Sequence, residues 1–508
     1  MKKRLGVSLV SNIVSVIIAV GLNFVLAPYI ISKLGSTAYG FDTLSDNVAN
    51  YATVITTALN YMGCRFIAYA YHQGEKEKAN SFYSSLFFGD LFLAAILGVV
   101  LFAIVVFLEN IITIPYELIE DVRITFLLTF LCFLLRVAET AFTAGAYVAQ
   151  RMDLYAVRQI FYNVIRAGGI LLLYFFFEPK IYYISLATWM ATIVNVIMDY
   201  SLTKKLLPDL KIKVAAFRKS CVTGLISSGI CHSIISLGGI ISNGLDLLIT
   251  NQFISSYYMG IFAVSKTIRT AIVKIRSSIV NVFNPNLLKT YAVKEIEELG
   301  NQVKGSMRIT GFILNVPLAG LLAYSKVFYK IWLPSYTQDE IQLVAVLTVL
   351  GMLSLIVAVN MGCINEICAV VNNLKVSTAV NLVENALSLI LTLVFLYRTN
   401  LGVLAVAGVS SVVSIIYYFV FVIPYMARLI RQNSFFFFPT LFRGLIDFVV
   451  LSTLYFVVIN SIIIDNWIDF IFLVLLSAII GYLVSLILCF GREERKKILN
   501  WKHWRKVG

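Results

Sequence analysis

Histidine is scarce in this chain, and its cysteines never pair into a motif. His72, His232 and His503 stand far apart, and none of the seven cysteines forms a CxxC pair. Such spacing offers no ligand set for zinc or haem, so no metal site and no cofactor are expected. The cysteines sit within or at the ends of apolar segments and read as small packing residues. Also missing are a P-loop, an HExxH, a GxSxG and a dinucleotide fingerprint, so no catalytic residue is assigned. Charge is scarce too. Only 13% of residues are charged, against roughly 25% in a soluble domain. The longest inner loops, about 204–220 and 284–308, are short and basic, which leaves no room for the polar catalytic loop of a membrane glycosyltransferase.

What is present is apolar. Of 508 residues, 59% are hydrophobic, and mean hydropathy is +0.87. A helix needs about 20 apolar residues to cross the hydrocarbon. On that rule about fourteen spans are expected, near 8–31, 41–70, 79–108, 122–148, 157–177, 181–203, 221–250, 257–283, 309–329, 341–371, 376–397, 401–426, 437–460 and 467–490. The predicted fold class is therefore all-α and polytopic.

The net charge of +14 would point to nucleic acid in a soluble protein. Here it reads as topology, because cytoplasmic loops collect Lys and Arg. With Lys2, Lys3 and Arg4 inside, the inner segments hold about 27 basic residues and the outer loops about 4, namely Lys33, Lys180, Lys330 and Arg398. Both termini are then cytoplasmic, and the basic tail from Arg492 to Lys506 lies against anionic headgroups. The acidic loop with Glu109, Glu117, Glu120 and Asp121 faces outward.

Two spans share an unusual polar layout. Ser8, Asn12, Ser15, Ala19 and Asn23 follow i, i+3/i+4 spacing on the first. Ser228, His232, Ser236, Gly239, Asn243, Asp246 and Thr250 do so on the seventh. A shift of 220 residues carries Ser8 onto Ser228, Asn23 onto Asn243 and Gly40 onto Gly260. The expected organisation is two parallel six-span lobes, 1–215 and 216–432, an added pair at 433–490, and a tail at 491–508. On the second span Asp42, Asp46, Asn50, Thr53, Thr57, Asn60 and Cys64 fall on one face about 80° wide. Lipid cannot satisfy such a face, so it meets either a polar seam between helices or a water-filled cavity, and the cavity is the favoured reading.

Basic residues also lie at membrane depth. Each one facing lipid at mid-bilayer costs about 2.5–3.5 kcal/mol, so those away from span ends need a polar lumen or a partner. The eighth span concentrates them. Lys266, Arg269, Lys274 and Arg276 share an arc of about 160° with Thr270, Ser277, Asn281 and Asn284. Two readings stand: an interfacial helix with snorkelling side chains, or the wall of a cationic cavity that attracts anions and repels metal ions and cationic drugs. Candidate substrate contacts are Arg65, Arg166, Lys266, Arg269, Lys274 and Arg276. Candidate polar lining residues are Asn23, Asp42, Asp46, Asn50, Asn60, His232, Asn243 and Asp246. Among the few carboxylates, Glu139 pairs locally with Arg136 or couples transport to a proton or sodium ion, and Asp90 and Glu384 are lone coupling candidates. Pro28, Pro317 and Pro424 permit bends.

The stretch Leu34-Gly35-Ser36-Thr37-Ala38-Tyr39-Gly40 follows an Asn/Ser-rich first span. Together with a second span ending in Cys64-Arg65 and the eighth-span exit Phe283-Asn284-Pro285, it resembles the Wzx-type polysaccharide flippases of the multidrug/oligosaccharidyl-lipid/polysaccharide exporter superfamily. That resemblance implies two six-helix bundles in a V around a central cavity, with alternating access. It implies an undecaprenyl-pyrophosphate-linked oligosaccharide as cargo, flipped from inner to outer leaflet for O-antigen, capsule, exopolysaccharide or teichoic acid. A bacterial cytoplasmic membrane, anionic lipid-linked sugar and membrane lipids as partners, and possible polysaccharide polymerase and chain-length proteins follow from it, with no nucleic acid. Fourteen spans, where twelve are common, resemble the lipid II flippase branch, whose added pair forms a groove for a lipid tail. Rival readings are a multidrug antiporter or a lipid II or teichoic-acid precursor flippase of the same superfamily, a polysaccharide polymerase or ligase, and a non-transporting scaffold.

Overall fold

The computed structural model describes residues 2–371, 373–462, 464–491, 494 and 495. Its regular structure, among these residues, is helical. The chain divides into two compact units, 1–264 and 265–508.

The N-terminal unit holds α1 (Lys2–Tyr51), α2 (Thr53–His72), α3 (Lys76–Val106), the short α4 (Leu108–Ile111), α5 (Ile119–Val148), α6 (Met152–Phe176), α7 (Tyr182–Leu206), α8 (Lys219–Asn243), α9 (Leu245–Phe253) and the first turns of α10 (Ser256–Ala292). The remainder of α10 opens the C-terminal unit. There follow α11 (Ile296–Trp332), α12 (Gln338–Asn360), the short α13 (Ile367–Val370), α14 (Lys375–Arg398), α15 (Val403–Tyr417), α16 (Ile423–Leu429), α17 (Phe438–Asn460) and α18 (Trp467–Cys489). Helix occupies most of the expected segments, but 41–70 breaks at Ala52, 221–250 at Gly244 and 341–371 after Asn360. Among the described residues nine helical stretches are long and apolar enough to cross a membrane. Neither α2 nor α10 is one of the nine; the polar stripe from Asp42 to Cys64 straddles α1 and α2, and the basic cluster falls on α10.

Local chemistry sets the breaks. Gly35 has φ 82° and ψ 166°, a conformation that a Cβ would oppose, and there α1 bends between its two halves. Thr337 and Glu340 form a capping box that starts α12, with Glu340 N–H donating to Thr337 Oγ1 at 3.3 Å and Thr337 N–H to Glu340 Oε2 at 2.8 Å. Pro424 has no N–H to give back to the preceding turn, and the chain just upstream, Tyr418–Val422, widens into a π-helix.

In the N-terminal unit α5 packs along α7 and α2 along α8. Small residues permit the second approach. A Cβ on Gly229 would run into the Ala58 backbone, and Ser233 Oγ donates to the Val54 carbonyl at 2.6 Å across the same seam. Gly40 and Gly260, which the 220-residue shift superposes, lie backbone against backbone. In the C-terminal unit α11 packs against α12, α17 and α18. Four helices are tied there by buried amides. Asn315 Nδ2 donates to Asp447 Oδ2 at 2.9 Å and to the Gly444 carbonyl at 2.9 Å, Asn360 Nδ2 donates to Asn315 Oδ1 at 2.9 Å, and Ser485 Oγ donates to Asp447 at 2.9 Å. By contrast, the flank of α18 exposes Ile468, Phe472, Leu475, Ile479 and Leu483, the composition of a lipid-facing surface.

Gly229→Val is expected to part α2 from α8, because the obstruction is backbone and cannot rotate away. Thermal unfolding in detergent should show a loss of about 1–3 kcal/mol, typical of overpacking. Gly224→Val, where a Cβ meets nothing within 4 Å, should leave the midpoint unchanged.

Candidate functional site

Each unit carries polar groups at membrane depth, and in each the sequence reading meets a built arrangement. In the N-terminal unit α6 brings Arg166 beside α1 and α7. Its Nη1 donates to Asn23 Oδ1 at 2.9 Å and its Nε to Thr188 Oγ1 at 3.1 Å. Asp42 and Asp46 lie within Coulombic reach of this group. Asp46 and Asn50 are exposed along one face of α1, and Asn60 continues that face half-buried on α2. Arg65, one turn further, is exposed. Asp246 on α9 is an electrostatic neighbour of Tyr51, whose hydroxyl donates to the Gly244 carbonyl at 2.5 Å. The side chains of His232 and Asn243 lie outside the described residues, as does most of the tail from Arg492.

Asp90 is wholly buried. With the Asn60 amide turned to satisfy its neighbours, its nitrogen donates to Asp90 at 2.7 Å and its oxygen accepts from Thr140 at 3.3 Å. Glu139 does not simply answer its helical neighbour. Asn195 Nδ2 donates to Glu139 Oε1 at 2.5 Å and to Asp199 Oδ2 at 3.3 Å, and Asp199 is ion-paired with Arg158. Arg136 turns instead to Tyr162, donating to its hydroxyl and lying 5.3 Å from the ring centroid. A cavity of about 310 Å³ opens between α5, α6 and α7 against these groups.

Arg158 corrects the sequence reading. Not singled out there, although the expected span 157–177 contains it, it is 7% exposed, and Asp199 is 1% exposed. The i, i+4 spacing of Asn195 and Asp199 was the signal available to find it.

The C-terminal unit gathers the α10 cations around a tyrosine. Arg269 and Arg276 are half-buried and within Coulombic reach of Tyr418, in the π-helical turn. Arg276 Nε donates to the Ala358 carbonyl at 3.0 Å and its Nη2 to the Gly362 carbonyl at 3.3 Å. Part of its donor set therefore caps the C-terminal end of α12, where the helix dipole favours a cation. Glu366 is a further electrostatic neighbour. Lys266 is half-buried, whereas Lys274 is exposed, in line with exposed Thr270, Ser277 and Asn281 on the same face of α10. Glu384 is 7% exposed and accepts from Ser414 Oγ at 2.8 Å, close to Tyr418. A second cavity, apolar and of about 340 Å³, lies between α11, α17 and α18. Pro317, Gly320, Tyr324 and Phe470 are among its walls, and Tyr324 donates to or accepts from Ser477 at 2.8 Å.

Arg158→Leu and Asp199→Leu should each destabilise the chain by about 3–5 kcal/mol, since each strands a buried charge. The double variant should recover more than half of the sum. A double-mutant cycle of unfolding in detergent measures this. Strict additivity would mean that the two charges do not act as a pair.

No family model matches the sequence. The chain is 26% identical over 500 residues, 98% of its length, to an uncharacterized membrane protein of Bacillus subtilis strain 168, EpsK, of which it covers 97%. Among solved structures it is similar to the lipid II flippase MurJ in an inward closed conformation, with TM-score 0.69, 14% identity, and coverage of 94% of this chain and 97% of that one. It is also similar to an inward-facing multidrug resistance MATE family transporter of the MOP superfamily, with TM-score 0.59, 15% identity, and coverage of 82% and 94%. The chain is a multi-pass, all-helical membrane protein with the fold of the MATE and MurJ transporters of the MOP superfamily.

Proposed function

We propose that this protein carries a lipid-linked anionic oligosaccharide, of the undecaprenyl-pyrophosphate type, from the inner to the outer leaflet of a bacterial cytoplasmic membrane by alternating access. The observation that carries this reading is α10. It carries Lys266, Arg269, Lys274 and Arg276 within roughly three turns, and an exposed row of Thr270, Lys274, Ser277 and Asn281. Thr270 and Ser277 donate back to their own helix, at the Lys266 and Val273 carbonyls, but hydrocarbon would leave the exposed Lys274 ammonium unsatisfied, so that face belongs against water or a polar cargo. A guanidinium fork suits phosphate oxygens bidentately, and the positive sign disfavours cationic drugs. That sign favours a flippase over the multidrug antiporter of the same fold. Precursors of lipid II or teichoic acid share the headgroup chemistry and stay within the proposal.

On this reading the lobes 1–215 and 216–432 alternate around the cargo headgroup, while its polyprenyl tail remains in the hydrocarbon. The apolar cavity between α11, α17 and α18 supports a resting place for that tail, because its rim continues into the exposed apolar flank of α18. Glu139, Asp90 and Glu384 are the coupling candidates. Glu384 is the one whose neighbour, Tyr418, also faces Arg269 and Arg276, so its protonation or cation binding would be felt by the cargo cations. Polymerase and chain-length proteins are the partners expected downstream, and no covalent chemistry is assigned to this chain.

Arg269→Ala, at normal membrane abundance, should abolish surface polysaccharide, and Arg269→Lys should retain part of it. The measurement is quantitative detection of surface polysaccharide alongside the protein level. Full export by Arg269→Ala would remove that residue from the site. Dye efflux from vesicles, present in the wild type and absent in Arg269→Ala, would replace the flippase with the drug antiporter.

A further inference from the structure

The cavity between α5, α6 and α7 has a chemistry unlike that of α10. Its lining holds one guanidinium, Arg136, and one carboxyl group, Glu139, and Asp46 lies within Coulombic reach of Arg136. With no positive excess, a pyrophosphate gains nothing there. What the walls offer instead is an alternation of donors and acceptors beside aromatic rings. Arg136 donates, the Glu139 carboxylate accepts, and the Gln159 amide does both. Asn195, a lining residue, is 6% exposed and gives both bonds of its amide nitrogen to carboxylates, and its own buried Oδ1 has no hydrogen-bond partner. A buried acceptor left open is costly unless something supplies a hydroxyl or a water. Tyr155 and Tyr162 add ring surface for C–H faces.

We propose that this cavity holds one uncharged pyranose ring of the cargo. The proposal rests on the lipid-linked oligosaccharide reading, and it assigns sugar recognition to the N-terminal unit, apart from the cations of α10. A ring's hydroxyls each donate once and accept, which matches the alternating walls of Arg136, Glu139 and Gln159. A volume of about 310 Å³ stands at the lower end of the roughly 300–1,000 Å³ of small-ligand pockets, so it takes a single residue and not a branched unit.

The test uses the full chain in lipid nanodiscs, titrated with methyl β-glucopyranoside and methyl N-acetyl-β-glucosaminide, with inorganic pyrophosphate as competitor. Saturable millimolar binding of at least one glycoside is expected, weakened at least about tenfold by Gln159→Leu and undisturbed by pyrophosphate. Thr143→Val, a near-isosteric change on the same wall, guards against a folding failure and should weaken binding as well, at an unchanged melting temperature. Absence of glycoside binding, binding indifferent to both variants, or displacement by pyrophosphate would each overturn the proposal. Export in a deletion strain separates the two readings. Normal surface polysaccharide without the gene sinks the cargo reading even if the cavity binds glycosides. Lost export together with cavity-independent glycoside binding sinks this subsite alone.

Discussion

Hydrocarbon offers no hydrogen bonds, and the rest of this structure follows from that constraint. It forces the backbone into helices, so the apolar runs of the sequence become helical segments with few alternatives. It also means that a polar side chain at depth must be answered by another side chain, by a backbone carbonyl or by water. Arg166 is answered by Asn23 and Thr188, Arg276 by the carbonyls of Ala358 and Gly362, and Arg158 by Asp199. Where a charge stands exposed on a helix, as Lys274 does on α10, the structure points outward to water or to a ligand.

Three kinds of answer have different consequences. The Arg158–Asp199 pair is sealed, so it holds α6 to α7 and has little freedom to respond to anything that passes. Arg276 is divided, since carbonyls at the end of α12 take part of its fork and fix its position. Arg269, near Tyr418 in a turn already widened by the demands of Pro424, sits where a local change of helical winding would alter its surroundings. A cargo charge arriving there would meet a segment with a second conformation close at hand.

Much of this was legible from residue order alone. Continuous apolar length located the helices, because burying the backbone in lipid leaves no competing structure. Helical spacing identified the stripes on α1, α2 and α10, because geometry alone decides which residues share a face. What depends on distant partners stayed hidden. Nothing in the neighbourhood of Asn315 or Asn360 announces that their amides would meet across helices and close on Asp447, and Arg158, just inside an expected span, gave no sign of its partner on α7. Glu139 was visible as a lone acid, but its tie to Asn195 and Asp199 required knowing that α5 lies along α7. The opposed glycines, Gly40 and Gly260, were aligned by the shift of 220 residues, but their mutual contact belongs to the tertiary structure.

The amide knot around Asp447 bears on how the last two helices came to be kept. They are not a detachable appendage. Shortening the chain before Phe438 would leave Asn315, which also holds Asn360, with donors that had been committed to Gly444 and Asp447. A lineage could discard the pair only by first, or at once, exchanging those asparagines for apolar residues. The order of such changes is thus constrained, and the final hairpin is locked into the ancestry of this protein by a side chain, Asn315, more than a hundred residues upstream.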